Sequence, residues 1–251
     1  MRQAQQTASD FYWYHCVDLG NGEVTDGDYA MGQYLPYYQF PTNMIGWSVL
    51  DVGCGSGYFA FEFETRGAEV TATEIPSVDD WDFVGGDEEK AVVLDRLSKH
   101  DHLDEYLIHG AFKYAHTARN SSVKQVRATV YDLAPELFNG KKFDLVFAGS
   151  ILSHLKNPIL ALEHLHSVTK GSCIIAAPFI DIVDHRNLAL MVFVGRDDLD
   201  RQSCWLVNPK GLEEMLFIAG FKRTSIVSHF NLQHRKKPEL VIPHIVAHAA
   251  P

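Results

Sequence analysis

From residue 47 onward the chain alternates between two hydrophobic textures. Short runs of apolar and β-branched residues predict strands over 47–52, 69–73, 124–130, 143–148, 172–177, 224–228 and 240–247. Between them, apolar residues recur at three- and four-residue spacing, which predicts helices over 58–66, 87–99, 103–118, 158–169 and 209–219. Asn157 and Asn208 each precede a proline at the first helical position and read as N-caps, and Gly220 ends the last helix. Strands alternating with helices imply an α/β fold: a Rossmann-like, doubly wound, seven-stranded and mostly parallel sheet covered on both faces.

The first 45 residues differ. Aromatics crowd among Gly and Asp, as in Phe11-Tyr12-Trp13-Tyr14-His15 and Tyr34-Leu35-Pro36-Tyr37-Tyr38. Such a stretch is too aromatic for a disordered tail and predicts a cap or lid over residues 1–45, ahead of a main domain over 46–251.

Composition changes this picture little. The 251 residues are 46% hydrophobic and 22% charged, a globular profile without low-complexity tracts. No apolar run approaches the roughly 20 residues of a membrane span. Residues 1–10 are polar and lack the apolar core of a signal peptide, so a soluble cytoplasmic protein is expected. Cys16, Cys54, Cys173 and Cys204 are widely spaced and suggest neither a zinc site nor a disulfide framework. His164 and His166 lie two apart on a helix and face different ways, so no metal is expected. A net charge of −10 disfavours a polyanionic partner. The short basic clusters Lys141-Lys142 and Arg235-Lys236-Lys237 read as solvated surface.

The chemistry concentrates after the first strand, in Asp51-Val52-Gly53-Cys54-Gly55-Ser56-Gly57. Glycines let a backbone turn tightly and approach a ligand where a Cβ would collide. The spacing is G-x-G-x-G, and Tyr58 stands where a dinucleotide fingerprint needs its third glycine. Glu74 ends the next strand, 23 residues after Asp51, where a carboxylate accepts the two hydroxyls of a ribose. Alone, Glu74 reads sooner as a solvated strand-end residue. Together, strand, loop, helix, strand and acid point to a nucleoside-type cofactor. Asp132, in Tyr131-Asp132-Leu133, either meets the adenine amino group or caps the turn before Pro135. The run from Phe143 ends in Gly149-Ser150, small residues beside which a nucleophile has room, and then reaches His154.

These strings, VLDVGCGSGYF, VYDL and FDLVFAGSILSHLKNPILALEHL, resemble class I methyltransferases. The N-terminal string Trp13-Tyr14-His15-x-x-Asp18-Leu19-Gly20, followed by Gly22 and Thr25, resembles the wobble-uridine tRNA methyltransferase-like branch. The likeness spans about residues 11–221. It implies S-adenosyl-L-methionine as cofactor, its methionine part lying over the glycine loop. The implied cofactor contacts are Trp13, Tyr14, Tyr29, Asp51, Gly53, Cys54, Gly55, Gly57, Tyr58, Glu74, Ile75, Tyr131, Asp132, Leu133, Gly149 and Ser150. Relatives that transfer a carboxymethyl group carry basic residues for the extra carboxylate and a Leu-Tyr-His stretch. Here that stretch reads Leu152-Ser153-His154, residues 28–33 hold no lysine, and the last strand holds no arginine. The ordinary, uncarboxylated cofactor is therefore expected.

Methyl transfer rests largely on positioning, and a base is needed only for a nucleophile that carries a proton of high pKa. His154 is the first candidate and His15 the second, each with a packing role as the alternative; His185 is a weaker third. Trp13, Tyr14 and Tyr29 are expected to cover the sulfonium, and Arg201 and Trp205 to lie on the acceptor side. The charge favours transfer to an oxygen, nitrogen or sulfur of a small molecule. A tRNA-modifying enzyme remains open, as do a binding module without catalysis and an NAD-dependent enzyme. The sequence leaves the acceptor and the oligomeric state undetermined.

Overall fold

The computed structural model describes residues 6–82, 90–92, 94–95, 102–194 and 203–251. After a short helix α1 (Leu35–Tyr38) come β1 (Ser48–Val52), α2 (Tyr58–Thr65), β2 (Glu69–Glu74), α3 (Gly110–Ala118) and β3 (Lys124–Arg127). Next are β4 (Phe143–Gly149), α4 (Pro158–Val168), β5 (Thr169–Pro178), β6 (Met191–Phe193) and β7 (Trp205–Val207). The chain closes with α5 (Pro209–Ile218), β8 (Arg223–Gln233) and β9 (Val241–Ala250).

Seven strands form one sheet in the order β3-β2-β1-β4-β5-β9-β8, parallel except for β9, which runs antiparallel to both neighbours. The expected architecture holds. All five residues of β1 are buried because helices cover both faces at the centre of the sheet. One core holds Phe59, Phe63 and Phe147 under α2; the other holds Leu50, Val146, Leu162 and Leu216 under α4 and α5.

The caps act as expected: Asn157 accepts from the Leu160 amide and Asn208 from the Gly211 amide, and Gly220 turns out of α5 at φ 108°. Several boundaries differ. β3 ends at Arg127, because Asp132 accepts from both the amide and the hydroxyl of Thr129 and draws the chain into a tight turn. The helix expected from Leu103 contains a π-helical turn, Glu105–His109, before α3. β5 starts at Thr169 and β8 runs on to Gln233, both longer than expected. The β6–β7 ribbon was not foreseen. Of the helix expected over 87–99, residues 90–92 and 94–95 are helical and the remainder lies outside the described residues, as does Arg201.

The N-terminal segment is folded against the sheet domain. Phe11, Trp13, His15, Val17 and Leu19 are buried at alternate positions, the period of an extended chain with one inner face. It pairs with itself at His15–Tyr29 and Asp18–Val24. The basic cluster after β8 is exposed, as expected, but two of its residues are paired. Arg235 donates to Asp26 Oδ1 (3.0 Å) and the Gly27 carbonyl (2.7 Å), and Lys236 reaches Asp26 and Asp28 (both 3.3 Å). Their charges are met by acids of the N-terminal segment. Lys141 likewise pairs with Glu69 (3.4 Å).

Candidate functional site

In the strand order, the chain proceeds from β1 to β2 and β3 on one side, then crosses to β4 and β5 on the other. This switch point leaves a crevice at the carboxyl ends of β1 and β4, the usual ligand position in such sheets. The glycine loop follows β1 there, and Ser150 follows β4.

Gly53, Gly55 and Gly57 all have positive φ, at 72°, 51° and 88°. They serve different needs. A Cβ on Gly57 would lie 2.6 Å from Phe61 and 2.8 Å from Phe112, so its bareness serves packing at the start of α2. A Cβ on Gly55 would meet nothing within 4 Å. The loop backbone at Gly55 thus borders open space, with room for close approach to the backbone.

Two carboxylates sit under this loop. Asp51 is 2% exposed; the Ala60 amide donates to it, while its Oδ2 has no partner. Burial and the nearby Glu74 push its pKa up to about 8. Glu74 accepts from the amides of Gly55 (2.7 Å) and Ile75 (2.9 Å), and burial raises its pKa despite those donors. Each carboxylate oxygen can accept a second hydrogen bond. Cys54 is buried with its thiol pushed well up by desolvation, so it is a packing residue and not a thiolate. Beyond Ile75, Ser77, Val78, Asp104, Glu105, His109 and Arg127 border a cavity of about 500 Å³.

Tyr131, Asp132 and Leu133 are at the adjoining strand end. The Tyr131 hydroxyl donates to Asp82 (2.7 Å) and accepts from the Asn157 amide. Asp132 is exposed, with Oδ2 engaged in the Thr129 turn, and Leu133 is fully buried. On the other side, the His15 amide donates to Ser56 Oγ of the glycine loop (3.2 Å), and its ring packs on Tyr58 and Phe59. That ring is buried with Nδ1 unpartnered, and desolvation lowers its pKa to about 3. Tyr14 packs on His15 and Tyr29, with ring centroids at 4.8 and 4.9 Å. Trp13 turns away from them: its indole donates to the Ala8 carbonyl and meets Tyr114 edge-on.

Across the crevice, His154 ends a short helical turn after Ser150. Sequence reasoning missed its neighbour His244, on β9 opposite Pro178. This ring is 2% exposed; its Nδ1 lies 2.9 Å from the Ile242 carbonyl and its Nε2 3.3 Å from Ser150 Oγ. Burial, with His154 nearby, lowers its pKa to about 4. A lone histidine in a buried strand carries no local signal; only the antiparallel return of β9 beside β5 brings it to Ser150. His185 is exposed and Trp205 donates to the Leu155 carbonyl (3.0 Å).

The residues fit S-adenosyl-L-methionine on their own chemistry. A buried, unpartnered Asp51 oxygen beside a second carboxylate calls for donors or positive charge, and the open side of Gly55 gives backbone access.

Comparison with known proteins agrees. The N-terminal domain of EvdMO1, a structure with SAH bound, superposes with TM-score 0.56 at 14% identity, covering 95% of this chain and 92% of that one. PH0226 from Pyrococcus horikoshii OT3 gives TM-score 0.51 at 14% identity, over 88% of both chains. CrArsM, an arsenic(III) S-adenosylmethionine methyltransferase from Chlamydomonas reinhardtii, gives 0.50 at 16%, over 84% of this chain and 65% of that one. No curated protein matches the sequence. The family model described as a methyltransferase domain matches residues 28–226. With that match on a sheet of this order, the chain belongs to the methyltransferase-domain family, as a class I S-adenosyl-L-methionine-dependent methyltransferase.

Proposed function

We propose that this enzyme transfers a methyl group to an oxygen, nitrogen or sulfur of a small molecule, with the cofactor bound across the loop at residues 53–57. The observation that carries the reading is the Asp51–Glu74 pair beneath the open side of Gly55. Asp51 takes the cofactor's positive end and Glu74 its ribose hydroxyls, while Ile75, Tyr131, Asp132 and Leu133 flank the base. Gly53, Cys54, Gly57 and Tyr58 shape the loop around it. Gly149 faces the junction between donor and acceptor. When bound, the cofactor supplies a methyl carbon activated by its sulfonium. The chain's residues hold it, align the acceptor and exclude water.

Residues 6–45 act as a cover. Tyr14 and Tyr29 close the His15 side of the loop, and Trp13 anchors the segment to the core by its contact with Tyr114. The acceptor is a small molecule and not tRNA because the one cluster of three consecutive basic residues is largely spent within the fold, on Asp26 and Asp28, in a chain of net charge −10. CrArsM, whose name specifies arsenic(III), is a similar fold with an acceptor of that size class. Among the described residues no helix is long and apolar enough to cross a membrane; we place the enzyme in the cytoplasm.

The test is calorimetry with S-adenosylhomocysteine. Glu74→Gln should weaken binding at least about tenfold, the loss of one charge-assisted hydrogen bond of about 1.5–3 kcal/mol. Asp51→Asn should weaken it comparably. Unchanged affinity in both variants removes these residues from the cofactor site.

A further inference from the structure

Ser150 and His244 make an arrangement that the cofactor site leaves unused. The Ile242 carbonyl can only accept, so the contact with His244 Nδ1 requires a proton on that nitrogen. A neutral ring then leaves Nε2 as an acceptor, and the group within reach is the Ser150 hydroxyl, at 3.3 Å. The Phe230 ring lies nearly parallel to the imidazole, 16° between planes, with centroids 5.2 Å apart, and fixes its tilt. Ser150 itself is only half-buried and directly follows the last residue of β4. Its hydrogen points at His244, so its lone pairs are left for whatever enters the crevice. The one titratable neighbour that shifts His244 is His154, from the turn after β4.

We propose that Ser150 is a catalytic residue that receives the proton of the methyl acceptor, and that His244 is the positioning residue that takes Ser150's own proton in turn. The proposal rests on the methyltransferase reading and narrows its substrate class to neutral hydroxyl- or amine-bearing small molecules. As the acceptor atom bonds to the methyl carbon, its proton passes to Ser150 Oγ and the serine proton passes to Nε2, leaving an imidazolium. The electron pair of the broken sulfur–methyl bond stays with sulfur. A buried neutral ring suits an uncharged acceptor, since a carboxylate would meet no positive charge here, and a thiol, with an ordinary pKa of about 8.5, reaches its reactive anion far more readily than a hydroxyl and depends least on such a base.

Two measurements test this. Imidazole nitrogen NMR of the labelled protein should find His244 protonated on Nδ1 and unprotonated on Nε2 between about pH 6 and 8, with the Nε2 signal displaced in Ser150→Ala. In the second, release of S-adenosylhomocysteine is followed with a set of phenols, alcohols, amines and thiols. The native chain should methylate a hydroxyl or amine probe, with a flat pH profile across the ordinary imidazole range. Ser150→Ala and His244→Asn should lower kcat on the order of 10²-fold, and Ser150→Thr should restore most of it. His244→Asn should keep S-adenosylhomocysteine affinity within about twofold, far below the tenfold step that marks a lost contact. An Nε2-protonated ring, variants within about threefold of native turnover, or transfer to thiols alone overturns the relay, as does transfer to none of the hydroxyl or amine probes. Failure of the native chain to bind S-adenosylhomocysteine instead overturns the methyltransferase reading beneath it.

Discussion

Two buried histidines and two buried carboxylates lie around this site, and their shifts oppose one another. His15 and His244 are lowered to about 3 and about 4, so below the ordinary imidazole value the unfolded chain takes up protons that the folded chain refuses. Their contribution is present above about pH 6.5 and is lost as pH falls toward those folded values. Asp51 is raised to about 8, so its contribution is present below the ordinary carboxylate value and is lost as pH rises toward 8. Below about pH 6.5 the two histidines work against Asp51 and against Glu74, whose pKa burial also raises; above it the histidines no longer titrate and Asp51 makes stability fall up to about pH 8. The cofactor-free protein should therefore lose at least about 1.4 kcal/mol per pH unit between about pH 6.5 and 8. Urea midpoints across that range measure the fall, and Asp51→Asn should flatten it. At this scale only part of the candidate site was legible in the sequence. Asp51 and Glu74 announce themselves by the glycine spacing between them, whereas His244 depends on a pairing that no local spacing encodes.

The elements were legible wherever local chemistry and tertiary packing agreed. The Asn157 and Asn208 caps, the proline after each and Gly220 fixed the ends of α4 and α5 in advance of any contact. Where a side chain competes with the strand ladder, as Asp132 does through Thr129, the apolar pattern continues past the point where pairing stops. The glycine loop contains both situations, and two substitutions separate them. Gly57→Ala combines a strained φ of 88° with a clash against Phe61 and Phe112, and should cost about 2–4 kcal/mol of stability. Gly55→Ala meets open space at φ 51°, and should cost only about 1–2 kcal/mol. Its effect belongs to the ligand: the added methyl occupies the side from which the cofactor arrives, and S-adenosylhomocysteine affinity should fall more than about tenfold. Thermal unfolding of the two variants beside calorimetry on Gly55→Ala checks the contrast. Equal losses of stability would mean that both glycines serve packing alone.

At the scale of the molecule, the alternating strands and helices foretold the doubly wound sheet, but the fastening of residues 6–30 was invisible. It depends on contacts more than 200 positions apart, between Asp26 and Asp28 at one end and Arg235 and Lys236 at the other. Arg235 and Lys236 hold the exposed Asp26 below the usual carboxylate range. Tyr12 adds a hydrogen bond to Asp28 (2.9 Å), and the His15 amide ties the same segment to Ser56 of the loop. Single exposed ion pairs contribute about 0–1 kcal/mol, so no one of these contacts fixes the segment; the group of them, with the buried Phe11, Trp13 and Leu19, does. Screening should then act on the cover and not on the sheet. The double variant Asp26→Asn, Arg235→Ala should raise amide hydrogen exchange across residues 12–29 severalfold while leaving β1, β4 and β5 protected. High salt on the native chain should do the same in weaker form. If the cover closes over the bound cofactor, S-adenosylhomocysteine should dissociate faster from that variant while its association rate changes little, because a loosened cover opens no shorter route to the loop but no longer holds what has entered.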